Sequence, residues 1–105
     1  MIELTKDNFE EEVLNAEGTV LVDFWSPSCE PCKALMPRIH ELEEKYSDKM
    51  KFASLDITKA RRVAIGQKVL GLPVITIYKN GERVDSVVGD EATSKSVGEL
   101  IERHC

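Results

Sequence analysis

Hydrophobic positions change their spacing several times along the chain, and each change marks an element. Ile2–Leu4 predicts a short strand. From Thr5 onward, Phe9, Val13 and Ala16 recur at helical spacing, and Gly18 stops the pattern. Thr19–Trp25 is β-branched, aromatic and apolar on both parities, which predicts a strand buried on both faces. The next helix begins near Cys29. Leu35, Ile39, Leu42 and Tyr46 form its buried stripe, and Glu41, Glu43, Glu44 and Lys45 its solvated face. Pro37 falls inside this helix, where it removes one backbone hydrogen bond and is expected to kink the axis.

Residues 50–56 read as a strand, and Thr58 as the N-cap of a helix carrying Ala60, Val63, Ala64 and Gln67. Gly71-Leu72-Pro73 breaks the chain before a strand over residues 74–78. Asn80-Gly81 is the strongest hairpin signal, with a partner strand over residues 83–88 that Gly89-Asp90 ends. Val97, Leu100, Ile101 and His104 predict a last helix. The order is β-α-β-α-β-α-β-β-α. Helical crossovers favour parallel pairing of the early strands, and the hairpin makes the last two antiparallel. This is the α/β class: a mixed central sheet with helices on both faces.

Composition changes this picture little. At 105 residues, 42% hydrophobic and 31% charged, the chain is expected to fold as one domain over residues 1–105, without repeats or linkers. A formal charge of −5 argues against nucleic acid as a partner, and Arg61-Arg62 is too short to make a basic stripe. Residues 1–7 lack the basic start and apolar run of a signal peptide, and no segment is long and apolar enough for a membrane. The expected compartment is the cytoplasm.

There a Cys-x-x-Cys more often means redox chemistry or metal than a structural staple. Cys29 and Cys32 stand at the joint between the central strand and the long helix, with Pro31 between them. Residues three apart on a helix share a face, which brings the two thiols within reach of a disulfide. At the helix start Cys29 meets unpaired backbone N–H groups and the positive end of the dipole, which favour a thiolate. Cys32, one turn inside, is more shielded. Cys29 is thus the candidate nucleophile and Cys32 the resolving thiol. Pro31 fits the first helical turn and limits flexing between the cysteines. A zinc site is disfavoured, because His40, His104 and Cys105 do not form a second closely spaced pair. Cys105, the last residue, reads as a solvated, frayed thiol.

The run Val22-Asp23-Phe24-Trp25, then Cys29-Glu30-Pro31-Cys32-Lys33, Pro37, Gly71-Leu72-Pro73, Asn80-Gly81 and Val88-Gly89 resembles the thioredoxin family from end to end. Residues 29–37 and Ala60-Arg61-Arg62-Val63-Ala64-Ile65 look most like the thioredoxins of amino-acid-fermenting anaerobic bacteria, which are associated with glycine, sarcosine or betaine reductases. Three positions depart from the family pattern: Ser28 replaces a usual tryptophan, Glu30 a usual glycine, and Ser54 a frequent lysine.

The resemblance implies the thioredoxin fold and a thiol–disulfide oxidoreductase, a protein disulfide reductase and electron carrier. It needs no cofactor, since the dithiol carries two electrons. The implied partners are a thioredoxin reductase and oxidised proteins, or in a narrower version an amino-acid reductase complex. The expected state is a monomer. On residues alone Asp23 reads equally as a buried proton acceptor for Cys32 or as a strand aspartate accepting backbone hydrogen bonds; the resemblance implies the former. Pro73 by itself reads as trans, whereas the resemblance implies a cis-proline beside the disulfide. Trp25, Leu72, Pro73 and Gly89, with Glu30 and Pro31, would then form the substrate surface, with Leu72 offering backbone to an extended chain; Trp25 reads equally well as core. The rival reading outside redox chemistry is an interaction module whose Cys-x-x-Cys is vestigial or metal-bound.

Overall fold

The structure is a computed structural model that describes residues 1–105. The doubly apolar stretch becomes β2 (Thr19–Trp25), the middle of a five-stranded sheet of order β1-β3-β2-β4-β5. Its companions are β1 (Ile2–Leu4), β3 (Lys51–Asp56), β4 (Val74–Lys79) and β5 (Glu82–Val88). β1 and β2 run parallel to β3, and β4 is antiparallel to β2 and β5. The expected mixed sheet is therefore present.

Its two faces carry separate cores. On one, Val20, Val22 and Phe24 of β2 pack with Phe9, Val13, Ala60 and Ala64. On the other, Leu21 meets Leu35, Ile39 and Leu42 of α1 (Glu30–Tyr46) and Val97, Leu100 and Ile101 of α3 (Ser94–Arg103). Strand side chains alternate between faces, so a central strand covered on both sides must be apolar at every position that is not functional. Asp23 is the exception in β2, and it is only 1% exposed. Helix α1 runs through Pro37 as one element. No helix is long and apolar enough to cross a membrane.

Asn80 and Gly81 take φ of 51° and 84°, the left-handed pair that a two-residue hairpin turn demands. A side chain on Gly81 would strike the Leu14 carbonyl. The Asn80 side chain accepts a hydrogen bond from the Gly18 N–H at 2.8 Å, tying the hairpin to the start of β2.

Three local expectations need correction. The Phe9–Val13 periodicity buries both residues, but it builds a five-residue π-helical turn, Glu10–Leu14, in which the Asn15 N–H reaches back to Glu10. Thr58 is not an N-cap: its N–H and hydroxyl both donate to Asp56 Oδ1, at 2.9 and 2.6 Å. With that hydroxyl engaged in a turn, the helix starts later, as α2 (Arg61–Gly66) after an Ala60 without a capping side chain. Gln67 lies just past its end. Cys105 is exposed but not free to fray fully, since its thiol donates to the Ile101 carbonyl.

His104 follows α3 and closes a polar cluster between that helix and β5. Asp85 Oδ2 accepts from His104 Nε2 at 2.9 Å and from Arg103 Nη2 at 3.2 Å, while Oδ1 accepts from the Ser86 N–H. The His104 hydrogen bond foremost, with Arg103 and Ser86, holds the Asp85 carboxyl below its ordinary pKa. A depressed carboxylate stabilises the fold above its unfolded pKa and loses that contribution as pH falls through the folded value. Asp85→Asn is therefore expected to lower stability by roughly 1 kcal/mol at pH 7. Urea titrations should show the gap to the parent protein closing below about pH 4; a gap that persists unchanged there would contradict the assignment.

Candidate active site

The strand-to-helix joint is built by a tight turn. The Cys29 N–H donates to the Ser26 carbonyl at 3.1 Å, closing the turn Ser26-Pro27-Ser28-Cys29 with proline at its second position. Cys29 then serves as the N-cap of α1: its backbone is extended, and its sulfur accepts the Cys32 N–H at 3.2 Å. Pro31 occupies the first turn of the helix, as expected from its missing N–H.

Cys29 and Cys32 form a disulfide, with Cα atoms 5.3 Å apart. The two sulfurs differ in access. Cys29 is half-buried, whereas Cys32 is 1% exposed. Cys32 heads the buried stripe of α1 that continues through Leu35, Ile39 and Leu42 onto the sheet. That stripe covers the face of β2 on which Leu21 and Asp23 lie.

Asp23 is paired in register with Ser54 of β3 and Ile75 of β4. Its Oδ2 is buried without a hydrogen-bond partner. Burial alone pushes the carboxyl up to about 7, from an ordinary 3.8. Its register partner on β3 is Ser54 rather than a lysine, so no cation from that position offsets the burial. Near neutral pH this group can take a proton or give one up. The alternative of a carboxylate held by backbone hydrogen bonds does not fit its unpartnered oxygen.

Register also gathers residues that are far apart in sequence. Phe24 pairs with Val74, and Val74 with Val88. Trp25, Pro73 and Gly89 therefore stand at the same end of three adjacent strands, beside the Cys29 turn. The Gly89 N–H donates to the Pro73 carbonyl at 2.7 Å, and Gly89 has φ of 60°. The Leu72–Pro73 peptide is cis, as the family resemblance implied and the sequence alone did not. Pro73 is buried, Leu72 half-buried, and Trp25 half-buried rather than core.

Glu30 is exposed and forms an ion pair with Lys33 at 3.0 Å. Their i, i+3 spacing places the two charges on one face of α1. The partners' opposite charges largely cancel at the neighbouring sulfur. Removing one member should unbalance them. In the reduced protein Glu30→Gln is expected to raise the Cys29 thiolate fraction at pH 6, and Lys33→Met to lower it, each by less than about threefold. Thiolate absorbance near 240 nm reads both, and a shift of the same sign in the two variants would refute the cancellation. No group of three or more His, Cys, Asp or Glu side chains is arranged to hold a metal ion.

Sequence comparison agrees with this geometry. A family model described as Thioredoxin matches residues 1–102. The chain is 54% identical over 104 residues to a thioredoxin of Acetoanaerobium sticklandii, with 99% of each chain covered. It is 50% identical over 104 residues to a thioredoxin of Peptoclostridium acidaminophilum, covering 99% of this chain and 94% of that one. A 44-residue thioredoxin sequence from Tissierella creatinophila matches at 84% identity, all of it aligned to 42% of this chain.

Proposed function

The chain belongs to the thioredoxin family, and from that premise we propose that this thiol–disulfide oxidoreductase works as a protein disulfide reductase, with Cys29 as nucleophile, Cys32 as resolving thiol and Asp23 as proton acceptor. The observation that carries the reading is the asymmetry of the pair: an accessible sulfur at a helix N-cap, a shielded one a turn inside, and an unpartnered carboxyl on the sheet face beneath.

In the reduced protein the Cys29 thiolate attacks one sulfur of a substrate disulfide. A mixed disulfide forms, and the first substrate sulfur leaves as a thiolate. Cys32 then loses its proton to Asp23, directly or through a water, and attacks Cys29 Sγ. The Cys29–Cys32 disulfide closes and the second substrate sulfur leaves. Two electrons have passed to the substrate, and its two thiolates take up two protons. The Cys32 N–H that reaches Cys29 Sγ favours a negative charge on that sulfur. Trp25, Leu72, Pro73 and Gly89, with the exposed Glu30 and Pro31, form the surface on which an extended substrate rests. A thioredoxin reductase returns the dithiol, and the cytoplasm is the setting in which it stays reduced.

A narrower version makes the protein the electron donor to a glycine, sarcosine or betaine reductase. The support is the resemblance carried by residues 29–37, beside a similarity over the whole chain to the thioredoxins of Acetoanaerobium sticklandii and Peptoclostridium acidaminophilum. Dithiol-driven reduction of insulin tests the general reading. Coupling to a purified amino-acid reductase tests the narrower one, which fails if a generic thioredoxin supports equal turnover.

A further inference from the structure

Beside the dithiol lies an open groove that the exchange reaction does not itself require. It encloses about 380 Å³, and its lining includes Ser28, Ile57, Arg61, Ala64, Ile65 and Val69. Ser28 immediately precedes Cys29, so whatever occupies the groove lies next to the attacking sulfur. The floor is apolar: Ala64 and Val69 are buried, and Ile57 packs against the core. The small Ser28 side chain leaves the near wall low. Ile65, also on the lining, is 71% exposed and so is open to contact by whatever enters the groove.

Charge narrows the occupant. The protein carries a net charge of −5, yet Arg61 stands on the groove as an exposed cation. Neither it nor Arg62 takes part in any ion pair. An unpaired guanidinium suits a carboxylate in planar, two-pronged contact. Two copies of this chain, each at −5, repel one another overall, which disfavours a second copy as the occupant.

We infer that this groove is a specificity subsite, recognising protein substrates that carry an aliphatic side chain and a carboxylate within a few residues of the cysteine that Cys29 attacks. The inference rests on the disulfide-exchange reading above and adds substrate selection to it. Arg61 sets the preferred charge, the Ile57–Ala64–Val69 floor takes the aliphatic group, and Ser28 keeps the groove open.

The test uses two disulfide-linked peptides, identical except for Leu-Glu or Leu-Lys flanking the cysteine, with hydroxyethyl disulfide as a small neutral substrate. The reduced protein is expected to attack the acidic peptide about three to ten times faster at low salt, with the preference shrinking at high salt. Arg61→Glu should invert the preference. Ser28→Trp, which fills the groove with an indole, should remove the advantage of leucine over alanine in the same peptides. Reduction of all substrates with no acidic preference, or a preference unmoved by Arg61→Glu, would overturn the subsite and leave the exchange chemistry standing. Failure to reduce even hydroxyethyl disulfide would overturn both. Concentration-dependent dimers in sedimentation that Ile65→Glu disperses would give the groove to a second copy and overturn the substrate assignment.

Discussion

Cys29→Ser is expected to lower dithiol-driven reduction of insulin by at least about a thousandfold, while Cys32→Ser loses turnover in a different way. The first variant replaces the only half-accessible sulfur of the pair with a hydroxyl that is not ionised near neutral pH, so no mixed disulfide forms. The second keeps that sulfur and its position at the helix cap, so attack on the substrate proceeds. What it lacks is the buried thiol that expels the substrate. Mass spectrometry should find the Cys32→Ser protein joined to substrate by a disulfide at Cys29, and the Cys29→Ser protein joined to none. Both residues lie in the same turn of α1, so a purely structural loss would affect the two variants alike. Retained turnover in Cys29→Ser, or no adduct on Cys32→Ser, would mean that the roles are wrongly assigned.

The second large effect concerns Asp23, whose carboxyl burial has raised to about 7 from 3.8. The direction of the linkage follows from which state holds the proton. Between these two values the unfolded chain has released it and the folded protein retains it, so the unfolded state binds fewer protons and stability falls as pH rises. The cost is absent below about pH 4 and complete above pH 7, amounting to about 4 kcal/mol at roughly 1.4 kcal/mol per unit. Asp23→Asn removes the ionisation while still burying a polar group. The oxidised variant is therefore expected to be more stable than the parent by about 2–4 kcal/mol at pH 8 and nearly equal to it at pH 4. Guanidinium titrations at the two pH values decide this, and equal stability at pH 8 would mean that the carboxyl is not buried as described.

The same variant should be the poorer catalyst. Without an acceptor for the Cys32 proton, resolution of the mixed disulfide slows by about tenfold to a hundredfold at pH 7. Higher pH, which deprotonates Cys32 directly, should restore much of the rate. The signature is a variant that gains stability as it loses turnover, which a mutation that merely disturbed packing would not produce.

Much of this protein was legible along its chain. The double-sided apolar run of β2, the Asn80-Gly81 turn and the buried stripe of α1 each depend on local spacing, and each formed where that spacing placed it. Local reasoning failed where two local options competed. Thr58 had the right chemistry for a cap, but its N–H and hydroxyl turn back onto the Asp56 carboxylate, and the helix starts only at Arg61. Phe9 and Val13 had helical spacing, which a wider π turn also satisfies. Asp23 was ambiguous for a different reason: its pKa depends on burial by α1 and on what faces it from β3, neither of which lies near it in sequence.

The sequence by itself determined the order of the elements, the class of the fold and the position of the dithiol at a strand–helix joint, because these follow from side-chain period and from residues within one turn of each other. Only the tertiary structure decided how deeply Cys32 is buried, that Asp23 is left without a partner, and that Pro73 and Gly89 meet at the end of β2. It alone opened a groove between Ser28 and Arg61. These are consequences of strand register and of layers closing over one another, which join residues that local spacing cannot relate.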